Sequence, residues 1–253
     1  MRVGCVTFSL GMSDPNLERQ SVHDAVYWRL RQALQDGQFQ PGQKLTNRHL
    51  AQTIGFSVTP VREAIRRLVS EGALRELPSG SVAVPELNSE EFLQEIGWLL
   101  LTLGSRAAAL GMSRLSAGDV VRLESLYNQA RSACERGDSM RANARYREFY
   151  FLIFERSEQP TLVGLLDMLW LRAAALHRSV SPEFAKQEDG RHYREMLDAA
   201  RRRDPNAAVI ALAGYQSRFE TFIQDLRNAP PERAKNVRGE AAKKPKPARG
   251  KRQ

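Results

Sequence analysis

Cysteine is scarce in this chain: Cys5 and Cys134 are the only two among 253 residues, and neither belongs to a CxxC pair. Two isolated thiols build neither a disulfide framework nor a zinc knuckle, and they fit a reducing cytoplasm. Histidine is almost as rare, with His23, His49, His177 and His192. Long apolar runs are missing. The greasiest stretch, Trp98 to Leu103, stops at Gly104-Ser105-Arg106, well short of the roughly 18 residues that span a bilayer. No HExxH, GxSxG, P-loop or glycine-rich dinucleotide fingerprint occurs. The expectation is therefore a protein with no catalytic residues, no bound cofactor and no membrane span.

What is present is ordinary for a globular protein: 42% hydrophobic, 26% charged and 8% aromatic residues. At roughly 150 residues per domain, the length predicts one or two domains. The net charge of +9 is unevenly spread, with +3 on residues 21–85, −1 on 86–227 and +7 on 228–253. Most of the basicity is thus a tail, and bulk charge alone points only weakly to nucleic acid. The tail, 229–253, is rich in Lys, Arg, Pro and Ala and is expected to be disordered. Residues 1–20 show no sustained periodicity and resemble a signal peptide only faintly. They are expected to be disordered or to precede the true start, with Met12 as an alternative to Met1.

Helical periodicity starts at Val22 and continues through Ala25, Val26, Leu30, Ala33 and Leu34. Gly37 offers a stop and Pro41-Gly42 a turn. Thr46 can cap a short helix carrying Leu50, Ala51 and Ile54, which Gly55 ends. Ser57 or Thr59 can cap the next, with Pro60 in its first turn and Val61, Ala64, Ile65 and Leu68 on one face. Residues 73–77 and 82–84 then read as strands of a hairpin around Pro78-Ser79-Gly80-Ser81. Two helices around a tight glycine turn form a helix-turn-helix candidate, with Ala51 small at the crossing and Val61 filling the angle. The second helix exposes Ser57, Val58, Thr59 and Arg62 near its start, where side chains enter a major groove. The hairpin serves as a wing.

From Asn88 the pattern is wholly helical, opening on an Asn88/Glu91 capping box flanked by Leu87 and Phe92. Helices are predicted over about 89–111, 117–136, 139–156, 160–179, 183–203 and 205–228, with Gly111, Gly137 and Pro160 as punctuation and Ser116 and Asp204 as caps. The predicted fold is mostly α: residues 21–86 form a winged helix-turn-helix, and 87–228 form an all-α bundle.

The run 45–68 (LTNRHLAQTIGFSVTPVREAIRRL), then Glu71-Gly72 and Leu74, resembles the winged-helix reader of GntR-family bacterial regulators. Residues 37–45 match that family's GxxxPGxxL approach, and 88–228 resembles the helical domain of its FCD subgroup, which implies that 87–228 serves effector binding and dimerisation. The resemblance implies a homodimer on double-stranded, palindromic operator DNA, more often repressing than activating. It places DNA contacts at Arg48, Val58, Thr59, Arg62 and the wing-tip Gly80. Arg48 and Arg62 suit guanine edges or phosphates. Val58 departs from the arginine usual at its position, which implies an altered or relaxed operator preference. Arg66 and Arg67 read as a solvated face.

Many FCD domains hold a divalent metal through one Asp or Asn and three His. The matching positions here are Tyr146, Tyr150, Tyr193 and Tyr215. A phenol with a pKa near 10 is a poor ligand at neutral pH. His192 adjoins Tyr193, but a one-residue shift turns it about 100° around the helix. The resemblance therefore implies a metal-free domain. The positions that often carry an effector-gripping Arg and Glu read Trp98 and Leu101. Together with Phe149 these residues outline an aromatic, hydroxyl-rich pocket. Two readings stay open: a neutral or aromatic small-molecule effector held by stacking and phenol hydrogen bonds, or tyrosines that fill the space in an effector-blind dimer. A non-specific nucleic-acid binder driven by the tail, and an enzyme, are the remaining alternatives.

Overall fold

The computed structural model describes residues 15–35, 38–85 and 92–228. The Asn88/Glu91 capping box, Gly37, Cys5, both candidate starts and the basic tail lie outside the described residues.

The first helix, α1, spans Pro15–Gln35. It starts within the stretch expected to lack structure. Proline tolerates the first turn of a helix, and Asn16 to Gln20 include good helix formers without an apolar stripe, so periodicity alone missed them. Its buried face is Val26, Tyr27, Leu30, Ala33 and Leu34. Val22 and Ala25, expected on that face, are exposed. A two-residue strand, β1 (Lys44–Leu45), leads into α2 (Asn47–Ile54) and α3 (Val58–Ser70). Thr46 caps α2 by accepting the His49 N–H at 3.2 Å. Gly55 ends it at φ 76°, a left-handed conformation that glycine adopts freely. Strands β2 (Arg75–Glu76) and β3 (Val82–Ala83) form the hairpin, and β1 joins it in the order β1-β3-β2. Both pairings are antiparallel, with Lys44 and Arg75 flanking Ala83. This unit has its own core, which includes Leu50, Val61, Leu68 and Val82.

A π-helical turn, Phe92–Gly97, opens the second unit and runs into α4 (Trp98–Met112). Then come α5 (Ala117–Glu135), α6 (Ser139–Glu155), α7 (Pro160–Glu188), α8 (Arg191–Arg202) and α9 (Pro205–Asn228). Ser116 and Asp119 form a reciprocal capping box on α5, and Asp204 accepts the Ala207 N–H at 3.0 Å. Gly111 does not end its helix. It is where α4 and α6 touch, since a Cβ there would run into the Ile153 carbonyl oxygen. The break expected near residues 180–182 does not occur either. Helix α7 runs on to Glu188 and turns at Asp189 (φ 44°) and Gly190 (φ 65°). Among the described residues no helix is long and apolar enough to cross a membrane.

Candidate nucleic-acid interface and aromatic cluster

The N-terminal end of α3 is presented outward. Ser57 occupies the N-cap position, but its hydroxyl makes no capping bond, and the first turn of α3 carries no acidic residue. Ser57, Val58, Thr59 and Arg62 are all exposed, while Pro60, Val61, Ala64, Ile65 and Leu68 hold the opposite face in the core. Arg48 is exposed on α2. Neither Arg48 nor Arg62 makes an ion pair among the described residues. Arg66 pairs with Glu63 at 2.9 Å. Arg67 is a structural residue: its guanidinium lies 3.7 Å from the Tyr27 ring centre and pairs with Glu71 and Asp24. The Tyr27 hydroxyl donates to Glu71, and burial together with that bond pushes its pKa up to about 12. At the wing, Gly80 is exposed at φ 76° and donates its N–H to the Leu77 carbonyl at 2.9 Å. Ser79 and Ser81 hydroxyls lie 2.7 Å apart beside it.

In the helical unit, Tyr146, Phe149, Tyr150 and Tyr193 meet. Tyr146 and Tyr193 stack with centres 3.8 Å apart and planes 10° from parallel. Phe149 meets Tyr150 and Tyr193 edge-on. Tyr150 also touches Trp170 at 5.1 Å. Tyr215 sits on the far side, packed against Phe184 and Phe219. Leu101 is partly buried against this core. Trp98 stands apart, 59% exposed, in one stripe with exposed Thr102 and Arg106. The i, i+4, i+8 spacing of those three polar-facing positions was the available signal.

His192, set aside in the sequence reading, is a central member of the cluster. It is 1% exposed, and its ring lies 4.4 Å from that of Tyr215. Its Nδ1 reaches the Ala211 carbonyl at 3.2 Å, and its Nε2 meets the Tyr150 hydroxyl. A carbonyl can only accept, so Nδ1 carries the proton and Nε2 accepts from the phenol. Burial lowers the His192 pKa to about 3, which keeps the ring neutral. Burial likewise pushes the phenols of Tyr146, Tyr150, Tyr193 and Tyr215 above their ordinary value.

This donor set does not fit a divalent metal. The tyrosines are protonated and spend their faces on one another, and the single imidazole has both nitrogens engaged. Among the described residues no group of three or more His, Cys, Asp or Glu is placed to hold one.

Residues 23–84 match the profile of the bacterial regulatory proteins of the gntR family, and residues 95–216 match the FCD domain. The chain is 32% identical over 188 residues to the HTH-type transcriptional regulator McbR of Escherichia coli K12, spanning 73% of this chain and 84% of that protein. It belongs to the GntR family, with an FCD domain. The solved structure of E. coli McbR/YncC superposes with a TM-score of 0.73 at 29% identity, covering 82% of this chain and 99% of that one. A GntR regulator from Rhodococcus sp. RHA1 shares the fold, with a TM-score of 0.67 at 20% identity over 81% and 98% of the two chains. The uncharacterized HTH-type regulator YdhC of Bacillus subtilis is 25% identical over 161 residues, or 62% and 70% of the two chains. This GntR-family regulator is accordingly a DNA-binding protein, with the family match on residues 23–84.

Proposed function

We propose that the protein is a homodimeric repressor that reads a palindromic operator, acts in the cytoplasm and answers to a small neutral or aromatic effector without a metal. The observation that carries the DNA reading is the free N-terminal end of α3. Its backbone N–H groups and the Ser57 and Thr59 hydroxyls suit phosphates, Arg62 and Arg48 suit guanine edges, and Val58 suits a thymine methyl. Gly80 lets the wing backbone approach the duplex closely. Two copies of α3 about one helical turn apart match a short palindrome.

The effector reading rests on the cluster around Tyr150. An apolar wall with phenol hydroxyls and one neutral imidazole favours an uncharged aromatic guest over a carboxylate. The Tyr146–Tyr193 stack supports the rival reading, in which the tyrosines fill the space and the bundle only dimerises. Footprinting of purified protein on fragments selected from its own genome tests the first part. Protection of a palindrome with half-sites about 10 base pairs apart supports it, and uniform binding along any DNA refutes it. A screen of phenols and neutral aromatics by thermal shift, repeated with Tyr150→Ala, tests the second. Stabilisation lost in the variant supports an effector site, and no response to any of them favours the effector-blind dimer.

A further inference from the structure

The reader and the bundle meet on α7. Leu171 of α7 is buried in the reader's own core. Gly72, just past α3, leaves room for Arg172, whose Nε would lie 3.2 Å from a Cβ there. Between them sits an ionic contact. Arg31 of α1, only 4% exposed, places Nη2 2.6 Å from Oδ2 of Asp167 and 3.2 Å from the Asp167 carbonyl oxygen. The other carboxylate oxygen, Oδ1, is taken by Nη2 of Arg147 on α6. Arg147 also lies over the Phe151 ring at 4.1 Å. Its sequence neighbours on α6 include Tyr146 and Tyr150, and Trp170, three residues beyond Asp167, touches Tyr150 and Phe151. One carboxylate thus faces two arginines, one in each unit. The Nε atoms of both arginines are buried without a partner.

We infer that Asp167 couples the two units, with Arg147 as the positioning residue that transmits a shift of α6 to α1. The inference rests on the regulator reading above. Three charges in a shared, largely buried contact have few ways to rearrange. If α6 moves Arg147 away, the second oxygen of Asp167 loses its partner, and the carboxylate must turn or rehydrate. Either change alters the grip on Arg31, whose buried charge has Asp167 as its ionic partner. A guest that displaces the tyrosines on α6 would act through this contact on the orientation of α1 and, with it, of α3. Among the described residues the polar and ring partners of Arg147 are Asp167 and Phe151, both in the bundle, so its substitution separates transmission from simple adhesion.

The test uses the full-length chain carrying Arg147→Gln, with Arg145→Gln as the control. Arg145 lies on the same helix and pairs with Glu148 at 2.7 Å. The coupling predicts faster amide exchange in α1 for Arg147→Gln and an operator Kd changed by about 5-fold or more, the low end of coupling between sites. Arg145→Gln should leave both unchanged. Melting of the bundle at the wild-type temperature establishes that the variant is folded, and Arg147→Lys, which keeps the charge, should bring both readouts most of the way back to wild type. If Arg147→Gln matches the control in both readouts while Arg31→Gln loosens α1, Asp167 is a docking contact only and the coupling is overturned. The exchange readout needs no operator, so it decides the point even if the DNA reading fails.

Discussion

Tyr150 donates its phenol proton to Nε2 of His192, which ties α6 to α8 inside the bundle. The same imidazole spends its Nδ1–H on Ala211 of α9, so one neutral side chain holds three helices together. Protonating it would put an uncompensated charge among aromatic rings and remove the acceptor that Tyr150 uses.

The acid stability of the protein should show this. In the unfolded chain a histidine titrates near 6.5, and in the fold His192 titrates near 3. Between these values the unfolded state binds the extra proton, so stability is full above pH 6.5 and is lost as the pH falls towards 3. The loss is bounded by about 5 kcal/mol, at 1.36 per unit. Melting temperatures from pH 7 to 4.5 should fall in the wild type and fall less steeply in His192→Gln. Parallel curves would show that His192 is not the buried neutral group.

Gly111→Ala should destabilise the bundle strongly. The added methyl would meet backbone, the Ile153 carbonyl, which cannot rotate aside. Overpacking typically costs about 1–3 kcal/mol, and a contact with backbone sits at or above the top of that range. Thermal melting measures it. A wild-type transition would mean that α4 and α6 separate readily.

How far the sequence reached is uneven, for physical reasons. The helix-turn-helix was legible because its packing demands particular residues at particular places: Ala51 at the crossing, Gly55 in the left-handed turn and Val61 in the angle. Strand β1 was not, since two residues carry no period. Separate helices are predicted over about 160–179 and 183–203, whereas the chain turns where Asp189 and Gly190 adopt positive φ. The aromatic cluster was half legible. Tyr146, Phe149, Tyr150 and Tyr193 share one region, but Trp98 follows the exposed phase of α4, and His192 joins from α8 through its bond to Ala211 of α9. That last contact depends on how α8 packs, which a single-helix wheel does not contain.

The purified protein should carry no stoichiometric transition metal, and EDTA should leave its melting temperature and operator affinity unchanged. Ionising one phenol at pH 7 costs roughly 4 kcal/mol even at its unperturbed pKa, and burial raises the cost for Tyr150 and Tyr193. One zinc or nickel per subunit by elemental analysis would contradict this.

Deleting residues 229–253 should lower overall DNA affinity and flatten its dependence on salt, with the preferred sequence unchanged. The net +7 on residues 228–253 can add counterion release but no base readout. Equal affinity of both forms at low salt would remove the tail from the DNA interface.

The central claim is that α3 reads the operator, and Arg62→Ala tests it most directly. Arg62 is exposed on α3, outside the buried face of that helix, and makes no ion pair among the described residues. A good arginine contact is worth roughly 1–3 kcal/mol, and a dimer loses two. Titration of wild type and variant against the operator and against unrelated DNA should show specific binding abolished, residual non-specific binding, and an unchanged melting temperature. A variant that protects the operator like wild type would contradict the account, because the recognition helix would then lie elsewhere.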